Sequence, residues 1–176
     1  MEGSGWIVRR GLVVTNAHVV AGIPAPLVDR GGGNAVRGEV VAFDAANDVA
    51  LVRADGLDGR PLPLAEAGRG TAGALLGFPL NGPFLVTPVR IGGTATVAAR
   101  DAYGRVQLRR SVIGVRGDVN RGNSGGPIVD ERGRVIATVF AKRAGTPDQA
   151  YALPNDKVLA ALANIGPPLQ TSCVER

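Results

Sequence analysis

Three short stretches hold side chains that can do chemistry together. Residues 121–127 read RGNSGGP and set Ser124 among Gly122, Gly125 and Gly126; TNAHVV carries His18, the single histidine; NDVALV carries Asp48. A serine hydroxyl is a weak nucleophile at neutral pH, so attack through it needs a general base within hydrogen-bond reach and a third group to orient that base. His18 follows an apolar strand-like run, a position from which a side chain faces a cleft. Asp48 immediately precedes a run of buried-strand character and is suited to accept the Nδ1 proton of His18, fixing the tautomer. The glycines let bare backbone approach a substrate. An ordinary surface turn has the same composition, because Gly supplies positive φ and Pro fixes the next φ. Partners elsewhere in the chain decide between the two readings.

The remaining composition narrows the chemistry. One histidine and one cysteine, Cys173, cannot build a zinc or iron site of usual ligand count, so neither a metal nor a cofactor is expected. Cys173 stands fourth from the end, but Val174, Glu175 and Arg176 make a poor prenylation signal. It reads as a free thiol or as one whose partner lies outside this sequence. The net charge of +5 invites a nucleic-acid reading, yet the arginines run from Arg9 to Arg176 and aromatic residues are only 4%. Their densest cluster, Arg105, Arg109 and Arg110, is small, so a solvated basic surface with no nucleic-acid partner is the better account. No apolar run approaches the roughly eighteen residues of a membrane helix, and Met1-Glu2-Gly3 does not open a signal peptide. The chain itself is expected to be soluble.

The elements that position these residues are mostly strands. In 176 residues, 26 glycines and 12 prolines are scattered without a three-residue period, as in a chain of short strands and frequent turns. Residues 5–8 and 12–15 read as a hairpin, followed by β-rich runs at 35–43, 49–53, 74–78, 84–97, 106–115, 128–129, 135–140 and 151–153. Only the end looks helical, with Asn155 as cap, Asp156 in the first turn, and Val158, Leu159, Leu162 and Ile165 on one face. Gly166-Pro167-Pro168 stops it. The Asn81-Gly82-Pro83 break divides the chain into residues 1–82, carrying His18 and Asp48, and residues 83–176, carrying Ser124, the closing helix and a loosely held tail from Gln170.

The order His18, Asp48, Ser124 in the contexts TNAHVV, NDVALV and GNSGGP resembles the chymotrypsin-like serine proteases over residues 3–165. That resemblance implies an all-β fold of two six-stranded antiparallel β-barrels with a C-terminal helix and the three residues in the crevice between them. It implies that Ser124 attacks the scissile carbonyl, His18 moves the proton, Asp48 orients His18, and the N–H groups of Gly122 and Ser124 form the oxyanion hole. Asn123 replaces the Asp that digestive members carry before the serine, so a zymogen switch through a new N-terminus is not expected. Asn123, short loops and the lack of a disulfide cluster are similar to the bacterial HtrA-like branch. GSGWIVRRGLVVTNAHVVAG, LGFPLNGPF and the late cysteine look like the membrane-anchored, periplasmic acid-resistance proteases of actinobacteria.

That likeness implies an envelope serine endopeptidase with protein or peptide substrates, monomeric, extracytoplasmic, and tethered to a transmembrane region outside this sequence. It also implies a strand before Gly5 and a cysteine upstream of residue 1 that pairs with Cys173. Asp118 falls where trypsin-like members place the base of the primary specificity pocket, and it serves equally well as a turn cap. The strand around Phe140 and Ala141 is expected to line that pocket and to pair with an extended substrate. A peptide-binding or chaperone-like module without catalysis is the alternative on the same fold. Hydrolysis that needs a neutral His18 is expected to weaken as the pH falls.

Overall fold

Short apolar runs separated by glycine turns are realised as twelve strands in a computed structural model that describes residues 2–143, 145–146 and 148–173. The N-terminal half holds β1 (Trp6–Arg9), β2 (Leu12–Thr15), a one-turn helix α1 (Ala17–Val20), β3 (Leu27–Val28), β4 (Val36–Arg37), β5 (Glu39–Asp44) and β6 (Val49–Arg53). The C-terminal half holds β7 (Ala72–Gly77), β8 (Leu85–Arg100), β9 (Gln107–Arg116), β10 (Pro127–Val129), β11 (Val135–Lys142), β12 (Gln149–Leu153) and α2 (Asn155–Ala163).

Strand β6 explains why Asp48 is where it is. Its residues are apolar without alternation because both faces are buried. Val49 and Leu51 join Trp6, Val14, Phe140 and Leu153 in a core shared by the two halves, while Ala50 and Val52 join Val13, Val20 and Val40 inside the N-terminal half. Each Leu or Val so buried stabilises the fold by about 1.5–3 kcal/mol, which holds the strand start, and Asp48 with it, against the other half. Trp6 adds a direct tie, donating from Nε1 to Thr138 Oγ1 at 3.2 Å.

The two halves close differently. Strands β10-β11-β12-β9-β8-β7 form a closed six-stranded barrel. In the N-terminal half the hydrogen-bonded order is β1-β2-β6-β5, with β3 and β4 paired separately. Six strands are therefore present there, as expected, but among the described residues they form a sheet and a ribbon. Pro24, Pro26 and the Gly31-Gly32-Gly33 run around the ribbon remove ladder donors and favour turns.

Four expectations are corrected by the geometry. The Asn81-Gly82-Pro83 break is the turn of the β7–β8 hairpin, so a boundary at 82 and 83 would split a paired strand from its partner; β6 ends at Arg53 and β7 begins at Ala72. Asn155 does not cap α2. Pro154 takes the N-cap place, and the Asn155 side chain donates instead to the carbonyls of Ala65 and Val135, both at 2.9 Å. The buried helix face uses Val158 and Ala161, leaving Leu159 53% exposed. The tail is docked as far as Cys173: Gly166 and Leu169 donate to Val41 and Val40 at 2.9 Å, and Gly22 donates to Thr171 Oγ1 at 2.8 Å. Strand β5 has an open edge whose carbonyls need donors, and the tail supplies them.

Candidate active site

His18 lies on α1, a single turn that forms because Ala17, Val19 and Val20 bury against the sheet while the residue between them faces out. Asn16 precedes it in extended conformation, φ −80° and ψ 148°, and makes no cap bond. Its amide reaches across to the Asp48 carbonyl at 2.9 Å. Sequence reasoning placed His18 just beyond a strand and missed the helical turn, which is too short for a periodic signal.

Asp48 is 4% exposed and left-handed, φ 61°, an uncommon state for a residue with a Cβ. Such strain is held only where the surroundings over-determine it. Here the His18 N–H donates to Oδ1 at 2.9 Å and Nδ1 of the ring meets Oδ2 at 2.8 Å. A carboxylate fixed by a backbone donor at one oxygen presents the other to the ring in one direction. Nδ1–H then donates to Asp48, and Nε2 is left as the acceptor facing the cleft.

Ser124 comes from the other half. The N–H of Ser4 donates to the Ser124 carbonyl at 2.7 Å, and Gly125 packs so tightly on Ser4, Thr15 and Asn16 that a Cβ there would overlap them. The nucleophile turn is thus seated on the residues that lead into α1. Its hydroxyl donates to the Phe140 carbonyl at 3.4 Å, and among the described residues it makes no bond to His18. Hydrogen bonds between a nucleophile and its base are often long or unmade without substrate.

The backbone of this turn is sorted by use. Asn123, Gly125 and Gly126 donate to Asn120, Val139 and Asn123, whereas the N–H groups of Gly122 and Ser124 meet no protein acceptor among the described residues. Gly122 has φ 91°, and a Cβ on it would run into the Phe78 carbonyl. Its orientation is set from both sides. Leu80 N–H donates to the Arg121 carbonyl at 2.7 Å, and Ser4 Oγ donates to the Gly122 carbonyl at 2.7 Å while accepting from Phe78 N–H at 3.0 Å. Two backbone donors with no acceptor among the described residues are a geometry that can receive an anionic oxygen.

Phe140 and Ala141 lie at the end of β11 that opens on the site. On the side of β10, the pairing of β11 stops at Val139, which exchanges bonds with Gly125 and Gly126. Beyond it, among the described residues, no strand pairs with that edge over Phe140, Ala141 and Lys142, where the Phe140 carbonyl accepts the Ser124 hydroxyl. His18, Phe140, Ala141 and Tyr151 share a groove of about 490 Å³ between the halves. Asp118 is exposed and accepts from the Asn120 side-chain amide at 3.1 Å. Cys173 is exposed with a free thiol, packed against Gly22.

Two residues of the site escaped sequence reasoning. Ser4 has no local signal, since its partners are distant in sequence. Arg110 does have one. Leu108, Arg110 and Val112 share a face of β9, so an arginine stands in an inward series, and it is only 3% exposed. Burial pulls its guanidinium below the usual range, opposed by the attraction of Asp48, Asp44 and Asp101. Among the described residues, no group of three or more His, Cys, Asp or Glu side chains is placed to hold a metal ion.

Two β halves that meet in a cleft define the chymotrypsin-like fold class. The chain belongs to the trypsin-like peptidase family, whose domain profile matches residues 3–137. It is similar to serine protease Rv3671c of Mycobacterium tuberculosis (strain H37Rv), 35% identical over 169 residues, 94% of this chain and 42% of that protein. The crystal structure of the active form of the M. tuberculosis Rv3671c protease superposes with a TM-score of 0.90 at 34% identity, covering 98% of this chain and 78% of the other. A probable periplasmic DegP-like serine endoprotease of Halomonas elongata is 32% identical over 161 residues, 88% of this chain and 33% of its own length. The chain thus spans 33–42% of the length of these two curated relatives.

Proposed function

We propose that this chain is a serine endopeptidase in which Ser124 attacks the scissile carbonyl, His18 takes the proton and returns it to the leaving amine, and Asp48 orients His18. The observation that carries this reading is the pairing of His18 with buried Asp48 at 2.8 Å, beside two unused N–H donors at Gly122 and Ser124. In the first step the Ser124 Oγ–carbon bond forms as its proton passes to His18 Nε2. The carbonyl oxygen becomes an anion received by the N–H groups of Gly122 and Ser124. The C–N bond then breaks as the amine takes the proton, leaving an acyl-enzyme that water hydrolyses by the same route. The open edge of β11 at Phe140 and Ala141 supports an extended substrate paired as an added strand. The exposure of Asp118 and its bond to Asn120 support a turn role over a basic-side-chain pocket.

Likeness to the periplasmic DegP-like protein and to Rv3671c supports an extracytoplasmic protein with envelope proteins or peptides as substrates. Within the same reading the chain acts as a monomer in acid or envelope stress, and it is tethered by a membrane segment outside this sequence. No described helix is long and apolar enough to cross a membrane. Cys173, exposed on the docked tail, pairs in this reading with a cysteine of the longer protein. The catalytically silent peptide-binding alternative draws on one observation, the Ser124 hydroxyl resting on Phe140. Fluorophosphonate labelling of the wild-type chain, Ser124→Ala and His18→Ala separates the two. An adduct located on Ser124 and abolished by both substitutions is expected; a folded wild-type chain that never labels would refute catalysis.

A further inference from the structure

Arg110 enters the site from the C-terminal half and ends beside the acid of the N-terminal half. Its Nε donates to the Ala46 carbonyl at 2.8 Å, and one terminal nitrogen donates to the Arg100 carbonyl at 3.1 Å. The other lies 3.9 Å from Asp48 Oδ2, the oxygen that meets His18. The guanidinium also stacks 5.1 Å from the centre of the Phe140 ring, whose carbonyl holds the Ser124 hydroxyl. One buried cation therefore touches the loop that carries Asp48 and the strand residue behind Ser124.

The surrounding hairpin shows that this is a built connection. The turn between β8 and β9 reaches past the barrel onto the other half, where Ala102 N–H donates to the Ala45 carbonyl at 2.8 Å and Tyr103 packs on Phe43 at 5.5 Å. Ala102 is buried in the N-terminal core. The guanidinium reaches carbonyls of both halves through separate nitrogens, where a lysine would have to bring both to one ammonium.

We infer that Arg110 is a positioning residue which sets the place of Asp48 and, by its charge, disfavours the imidazolium form of His18. The inference rests on the triad reading proposed above. By element, the charged or titratable groups around this centre are Asp44 on β5, Asp48 before β6, Arg100 and Asp101 at the end of β8, Arg110 on β9, Lys142 on β11 and Tyr151 on β12. Of these, Arg110 is the buried cation. Asp48 and Arg110 carry opposite charges beside the His18 ring and act on it in opposite senses. Burial makes this opposition weakly sensitive to salt.

The single histidine makes the test direct. NMR titration of the His18 ring in Ser124→Ala, with and without Arg110→Met, reads the charge effect without any turnover. The midpoint is expected to rise by about half a pH unit or more when Arg110 is removed, and to stay within about 0.2 unit in Arg110→Lys. In active protein, Arg110→Met should lower kcat on the order of 10- to 100-fold with little change in KM, and move the acidic limb of kcat/KM upward. Arg110→Lys should keep the limb and lose part of kcat. An unmoved His18 midpoint in folded Arg110→Met overturns the inference, as does a kcat loss that only tracks lost stability. If Arg110→Met does not fold, Arg110→Lys decides: wild-type kcat or a raised midpoint overturns the inference. Activity surviving in Ser124→Ala would instead sink the triad reading, a result the ring titration does not share.

Discussion

Replacing Ser4 by Ala tests whether the nucleophile turn is held from the N-terminal half. Ser4 is 5% exposed, and its hydroxyl donates to Gly122 at 2.7 Å and accepts from Phe78 at 3.0 Å. The substitution removes one oxygen and leaves two backbone groups without a partner. Each buried unsatisfied group costs about 1–3 kcal/mol, so the fold should lose roughly 2–6 kcal/mol, read as a lower urea midpoint at unchanged slope. The carbonyl released is that of Gly122, whose N–H is one of the two free donors. Complete loss of such a donor costs about 100- to 1,000-fold in rate. Leu80 still holds the Arg121 carbonyl, so Gly122 is loosened and not freed. A fall in kcat of about 10- to 100-fold with KM within roughly threefold is therefore expected, measured on a peptide substrate where the variant is fully folded. Wild-type kcat in a destabilised Ser4→Ala protein would refute the reasoning, because the turn would then keep its geometry without the hydroxyl.

Two further outcomes rest on the same structure. Gly122→Ala puts a Cβ at φ 91° against the Phe78 carbonyl, so the turn must shift; fluorophosphonate labelling should slow by at least about 100-fold, and labelling at the wild-type rate would contradict the placement of the oxyanion donor. Asp130 sits slightly buried, which raises its carboxyl, but donors from Arg134 and Arg132 prevail and hold it below the usual range. A depressed folded value stabilises above the unfolded value of about 4 and loses that stabilisation as the pH falls through the folded one. Asp130→Asn should therefore lower the unfolding temperature at pH 7 and have little effect near pH 2, and an equal effect at both would exclude the linkage.

The residues proposed to do chemistry could be picked out in the sequence because their signals are local. A serine among glycines, a histidine after an apolar run and an aspartate before a buried strand are patterns of residue type within a few positions. The strands were legible for the same reason: alternation and glycine turns act over neighbouring residues, and Val49–Arg53 is observed at the expected bounds. One-turn α1 was not, because four residues carry no period. Asn155 looked like a cap because Asn suits a cap, but the carbonyls of Ala65 and Val135 claimed its amide first.

By itself, then, the sequence pointed to the side chains proposed to react and to the runs that pair as strands, since both depend on short-range covalent order. Only the tertiary structure decided that Ser4 orients Gly122, that Arg110 joins Asp48 to Phe140, and that the tail covers β5. Those contacts link residues far apart in the chain. Their existence depends on strand register and on how two separately built halves dock, and no local propensity encodes either.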